Sequence, residues 1–169
     1  MRKGLLLALI AGAPGCAPRT AAAPPDTSRA QTDGSHAKAI VLERSPCFGG
    51  CPVYTVAVSP EGEVTYEGRA HVRRLDKASA RVPRQRVDSL LNELDRAGYF
   101  TFANQYVQSE PACGRYATDS PSAKTTVTYG GRTKTIVHDY GCGSAPGTLV
   151  VLERRIDEVL GSGKWTGRE

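Results

Sequence analysis

No stretch of this 169-residue chain is apolar for long enough to cross a membrane as a helix. The one candidate, Gly4–Ala13 (GLLLALIAGA), is ten residues long, against the roughly 20 that a bilayer requires. Familiar catalytic signatures are missing as well. There is no Gly-x-Ser-x-Gly, no His-Glu-x-x-His and no phosphate-binding loop, which removes the common serine hydrolases, zinc peptidases and P-loop enzymes. A strong excess of one charge is also lacking. The chain carries 22 basic and 17 acidic residues, a net of +5, and without Arg2 and Lys3 the balance is 20 against 17, a net of +3. Global charge therefore selects no partner, and no nucleic acid is expected.

What is present begins at the N-terminus. Met1-Arg2-Lys3 supplies two positive charges, and the short apolar run follows directly. A basic start, an apolar centre and small residues at the cut are the pattern of a secretion signal. Two cut sites compete. Ala13-Pro14-Gly15-Cys16 resembles the lipobox of bacterial lipoproteins, in which Cys16 would be acylated and become the new N-terminus. Cleavage after Ala23 would instead release a soluble periplasmic product. The lipoprotein is the expectation taken forward, with residues 1–16 as its signal.

Cysteine usage agrees with export. The five cysteines are Cys16, Cys47, Cys51, Cys113 and Cys142, and an odd cysteine in an exported protein asks for an explanation. Lipid on Cys16 leaves four, an even number suited to an oxidising compartment. Residues 17–37 are rich in Ala, Pro, Ser and Thr without apolar periodicity, which predicts a disordered tether of a few nanometres. No aspartate follows Cys16, which points to the outer membrane, facing the periplasm.

Residues 38–161 then read as a single domain. Lys38–Arg44 is a short β-branched run. Val53–Ser59 and Glu63–Glu67, joined by Pro60-Glu61-Gly62, form a hairpin, and Arg69–Leu75 would add a polar edge strand. Helical spacing of Val87, Leu90, Leu91, Leu94 and Ala97 predicts a helix over Arg84–Ala97, with Pro83 at its start and Gly98 past its end. Tyr99, Phe100, Phe102 and Tyr106 follow, and Glu110–Ser122 is a long polar loop. Lys124–Tyr129 and Arg132–His138 form a second hairpin across Gly130-Gly131, a tight primed turn. Leu149, Leu152, Ile156, Val159 and Leu160 mark a second amphipathic helix from near Pro146 to Gly161. Residues 162–169, with Trp165, read as a frayed tail. Hairpins imply antiparallel pairing and each helix has one apolar stripe. The expected fold is α+β, an antiparallel sheet of about five to six strands with both helices packed on one face.

The segment Arg44-Ser45-Pro46-Cys47-Phe48-Gly49-Gly50-Cys51-Pro52-Val53-Tyr54 resembles the opening motif of the bacterial domain-of-unknown-function family 6438. Tyr66-Glu67-Gly68, Ala97-Gly98-Tyr99-Phe100, Thr118-Asp119, Ala145-Pro146 and Ile156-Asp157 follow in the family's order. The resemblance spans Ala39 to about Leu160. It implies the same fold and an exported setting, and it implies no activity. One departure is Val82-Pro83, where the family usually starts its first helix with Ser-Pro, so a capping side chain is lost. The Cys113 and Cys142 pair is a second difference from many members.

Few residues are candidates for chemistry. Cys47 and Cys51 have three residues between them, whereas redox dithiols usually have two, at a helix start. A structural disulfide is expected there, and no histidine is close enough in sequence to complete a zinc site. Four cysteines allow three connectivities, of which Cys47–Cys51 with Cys113–Cys142 is the expected one and the crossed pairings are the alternative. Two glycines between Cys47 and Cys51 let the chain turn back. His138, Asp139 and Cys142 could be imagined as a nucleophile site, and His71 lies on the expected edge strand. Arg69, Arg73, Arg74, Lys77 and Arg81, flanked by Arg84 and Arg86, make a basic strip that could contact an anionic surface, or simply solvate an edge. The resulting expectation is a non-catalytic, lipid-anchored binding or assembly module of the cell envelope, with no cofactor and no metal. Its partners would be the membrane through the anchor and an envelope protein or anionic surface; its oligomeric state is left open. Thiol redox or hydrolytic chemistry and an inhibitor-like loop domain are the alternatives.

Overall fold

The computed structural model describes residues 38–167, so the expected signal, Cys16 and the tether lie outside the described residues. Strand β1 (Ile40–Arg44) occupies the centre of the sheet. On one side β2 (Val53–Val58), β3 (Glu63–Ala70) and β4 (Asp76–Arg81) form an antiparallel meander. On the other side β6 (Ser122–Tyr129) pairs with β1 and β7 (Arg132–Asp139) with β6, both antiparallel. The two-residue β5 (Gln105–Tyr106) closes that edge, parallel to β7. The order is β4-β3-β2-β1-β6-β7-β5. The α+β class is as expected, but the sheet has seven strands and is mixed. A two-residue strand is too short to leave a period in the sequence.

Alternation sorts the residues between two faces. Ile40 and Leu42 of β1, Val56 and Val58 of β2, Val64 and Tyr66 of β3, Val127 of β6 and Ile136 of β7 are buried on the inner face. Helix α1 (Arg84–Arg96) lays Val87, Leu90, Leu91 and Leu94 into that core. Helix α2 (Gly147–Leu160) adds Leu149, Leu152, Ile156 and Leu160. Each such side chain stabilises the fold by about 1.5–3 kcal/mol relative to exposure. The outer face is wet and rich in threonine. Thr126 bonds Thr135 at 2.9 Å and Thr128 bonds Thr133 at 3.0 Å across neighbouring strands, as one-sided antiparallel sheets allow.

Caps and turns follow local chemistry. α1 starts at Arg84 with Pro83, not Val82, as its N-cap residue and without a side-chain cap, because the proline ring has no oxygen to accept from the first-turn N–H groups. Gly130 and Gly131 both take positive φ, 56° and 73°, the geometry a primed hairpin turn demands.

Two expectations change. The polar edge strand is Asp76–Arg81, not Arg69–Leu75. β3 runs on to Ala70, and the chain then reverses through His71 and Asp76, both at positive φ (53° and 68°). The reversal passes over Gly68, where a Cβ would lie 2.1 Å from the Arg74 carbonyl oxygen. The tail is also ordered as far as Gly167: Gly163–Thr166 forms a helical turn, α3. Trp165 is 8% exposed and stacks on Tyr66 at 4.7 Å. The main-chain N–H groups of Arg73 and Arg74 donate to the carbonyls of Thr166 and Trp165, which ties this turn to the β3–β4 connection.

Candidate functional site

The inner face of the sheet carries a polar row near one end. Residues 40, 42 and 44 of β1 share a face by alternation, so Arg44 points toward the helices like the two apolar residues before it. The register sets Arg44 opposite Tyr54 on β2 and Ala123 on β6, and Ala123 opposite His138 on β7. Helix α2 supplies the other half. Glu153 and Asp157 are four residues apart and therefore on one side of the helix, and Glu153 is fully buried at 1% exposure.

Asp157 is the hub. Its Oδ2 accepts from Arg44 Nη2 at 2.7 Å and Nε at 3.2 Å. Its Oδ1 accepts from the Tyr54 hydroxyl at 2.6 Å and from Ser162 Oγ at 2.6 Å. Arg44 Nη2 also donates to the Glu153 carbonyl at 3.2 Å, and Nη1 to the Tyr140 hydroxyl. The Tyr140 hydroxyl in turn donates to Glu153 Oε2 at 2.6 Å. His138 Nδ1 lies 3.1 Å from both Glu153 oxygens, so Nδ1 carries the ring proton that faces the carboxylate. The Tyr140 ring stacks on His138, 4.5 Å between centroids. A continuous chain of bonds thus links Tyr54, Asp157, Arg44, Tyr140, Glu153 and His138.

Electrostatics follow from this packing. Burial pulls the Arg44 guanidinium down, but Asp157, with Tyr140 and Tyr54, outweighs it, and the net shift is upward. Burial raises Tyr54, and the Asp157 carboxylate raises it further. Tyr140 is raised by burial too; Arg44 opposes this and Glu153 reinforces it. Charged arginine and neutral tyrosines are therefore the stable states of the row.

Above the row opens a cleft of about 800 Å³. Ser45, Cys51, Pro52, Pro121 and Ser122 form one wall, and Arg154, Glu158 and the turn from Gly161 to Thr166 the other. A second depression of about 780 Å³ lies on β3 and β4, beside Thr65, Lys77 and Ser79. Its lining is also polar, with Thr55, Glu67 and Arg74 besides, but it holds no mostly covered ion pair like that of Arg44 with Asp157, so the Arg44 cleft is the stronger candidate.

The residues singled out by sequence fall in different places. Cys47 and Cys51 form a disulfide, Cα to Cα 5.6 Å, as do Cys113 and Cys142 at 4.5 Å; the crossed pairings are absent. The His138, Asp139 and Cys142 grouping is not assembled. His138 faces inward to Glu153, while Asp139, the next residue on the strand, accepts from the Tyr116 hydroxyl at 3.0 Å and the Gly141 N–H at 2.8 Å. Cys142 has no thiol to offer. His71 is an exposed turn residue. The basic strip is divided: Arg69, Lys77 and Arg81 lie on the outer face among Glu63 and Glu67, with Arg81 paired to Glu63 at 2.6 Å. Arg73 and Arg74 sit in the β3–β4 turn beside Lys77, whose carbonyl accepts from Arg74 Nη2 at 3.4 Å, and Arg81 alone is set apart, at the far end of β4. Among the described residues no group of three or more metal-ligating side chains occurs.

Sequence reasoning missed Arg44, Tyr54, Tyr140 and Glu153 as one site. The signals were there. Arg44 ends an alternating strand on its buried side, and Glu153 occupies a core position between Leu149 and Ile156.

The fold is that of a mixed seven-stranded sheet with two helices over one face and a polar cleft at the sheet's end. The chain belongs to the domain-of-unknown-function family DUF6438, whose model matches residues 38–160. The match takes in Arg44, Tyr54 and Asp157, the residues that build the floor. No curated protein matches the chain.

Proposed function

We propose that this chain is an exported, lipid-anchored domain of the bacterial cell envelope that binds a partner or ligand in the cleft above Arg44 and Asp157. The cleft carries the reading. Its floor is a set of charges and hydroxyls engaged with one another: the Asp157 carboxylate accepts four bonds and Arg44 is held on three sides. Such a floor is rigid and chemically spent, which suits recognition better than bond breaking. The two disulfides support the oxidising compartment that the N-terminal signal and Cys16 call for. Arg73 and Arg74, bonded through their main chain to the turn that walls the cleft, are the part of the basic strip best placed to meet an anionic surface of the envelope.

The address is tested in a Gram-negative host. The protein enters the membrane fraction with an acylated Cys16, and Cys16→Ala releases it or blocks processing. Intact mass showing an unacylated form that starts at Pro24 overturns the anchor.

One observation favours a second reading. Phe48 is 88% exposed at the tip of the loop closed by Cys47–Cys51, a fixed aromatic that could plug a partner's pocket as inhibitor loops do. Phe48→Ser would then abolish partner capture while leaving ligand binding in the cleft intact.

A further inference from the structure

The charges around the cleft do not cancel. Five charged side chains line it: Arg44, Arg154, Asp157, Glu158 and Lys164. Asp157 is consumed by Arg44, Tyr54 and Ser162. Glu158 is drawn aside to Arg155 Nη1 at 3.2 Å. Arg154 has no ion pair among the described residues, and the Lys164 ammonium rests over the Trp165 ring, 4.0 Å from its centroid. A cation over an aromatic face keeps its N–H donors for a further anion. At the floor, Arg44 places four of its five N–H donors on Asp157, Glu153 and Tyr140. The remaining donor, on Nη1, is open, and the side chain is 16% exposed. The cleft therefore presents two uncompensated cations and one guanidinium N–H. The rest of its lining is largely apolar, with Pro52, Pro121 and the rings of Tyr54 and Tyr140.

We propose that the cleft binds an amphiphile with a single anionic head, a fatty carboxylate or an alkyl phosphate. The head would lie among Arg154, Lys164 and the open Arg44 donor, with the chain along the proline and tyrosine wall. This rests on the reading of the chain as a binding domain and names the chemistry of its ligand. The volume lies within the roughly 300–1,000 Å³ of small-molecule sites. An anion is favoured because apolar walls lower the local dielectric and strengthen its attraction to the two uncompensated cations.

The test uses the full chain with Cys16→Ser, which cannot be acylated. Decanoate, decyl phosphate and decanol are titrated in a calorimeter, each below its micelle concentration. One anion binds one to one, and decanol binds about tenfold more weakly or not at all. Arg154→Gln with Lys164→Gln, both exposed positions, lowers anion affinity about tenfold, toward that of decanol. Arg155→Gln, outside the cleft, leaves it unchanged. Tighter decanoate assigns a carboxylate head, and tighter decyl phosphate a phosphate. Equal affinity for decanol, an unaffected double variant, or no binding of any probe overturns the proposal. Those outcomes leave the membrane address standing, since fractionation of the acylated chain decides that separately.

Discussion

Arg44 Nη2 lies 2.7 Å from Asp157 Oδ2, a contact across 113 residues that joins the end of the central strand to the last turn of α2. It fixes the helix against the sheet at the point where the cleft opens. Both side chains are mostly covered, at 16% and 19% exposure, so their desolvation is offset only while they are paired. Asp157→Ala should destabilise the domain by about 3 kcal/mol, because it leaves a buried guanidinium without its anion. Arg44→Met with Asp157→Leu should cost less than the sum of the single changes. Denaturant unfolding of the four proteins measures the coupling, and strict additivity would show that the two residues do not depend on each other.

Alkaline stability should report the buried hydroxyls. Tyr54, Tyr140 and Tyr99 are all shifted upward from 10.0, burial being the first cause in each. The unfolded chain loses these protons first, so their contribution is fully present below about pH 10 and is lost as pH rises above it. Tyrosinate absorbance should then appear together with unfolding. Tyrosinate formation well before any loss of structure would contradict the burial of these rings.

The disulfides should differ in weight. Cys113–Cys142 spans 29 residues and Cys47–Cys51 only four. By chain entropy the first contributes about 3–4 kcal/mol and the second about 2 kcal/mol. Replacing Cys113 and Cys142 by serine should lower the melting temperature more than replacing Cys47 and Cys51. Peptide mapping of the non-reduced protein checks the pairing directly.

Trp165 should be a core residue despite its position near the C-terminus. Trp165→Ala removes the ring stacked on Tyr66 and should cost about 3 kcal/mol. A chain ending at Gly161 should lose the same stability and also free the Arg73–Arg74 turn, read as faster amide exchange there. Unchanged melting of both variants would return residues 162–167 to the role of a loose end.

Elements that carry a strong local period were legible along the chain. The helices, the two hairpins and the α+β class follow from apolar spacing and turn residues, which depend only on neighbours along the chain. The disulfide partners were legible because Cys47 and Cys51 bracket a glycine turn and the other two cysteines bracket the second hairpin. The rest depends on contacts between residues far apart in the chain. β5 exists because Gln105 and Tyr106 happen to meet the free edge of β7, and two residues hold no pattern. The tail folds because Trp165 finds Tyr66, a partner 99 positions earlier. The cleft floor depends on register and helix placement together: alternation turns Arg44 inward, but only the docking of α2 brings Asp157 to it. A charged residue at a buried position announces that a partner must exist, and its identity is fixed by long-range packing that no local spacing encodes.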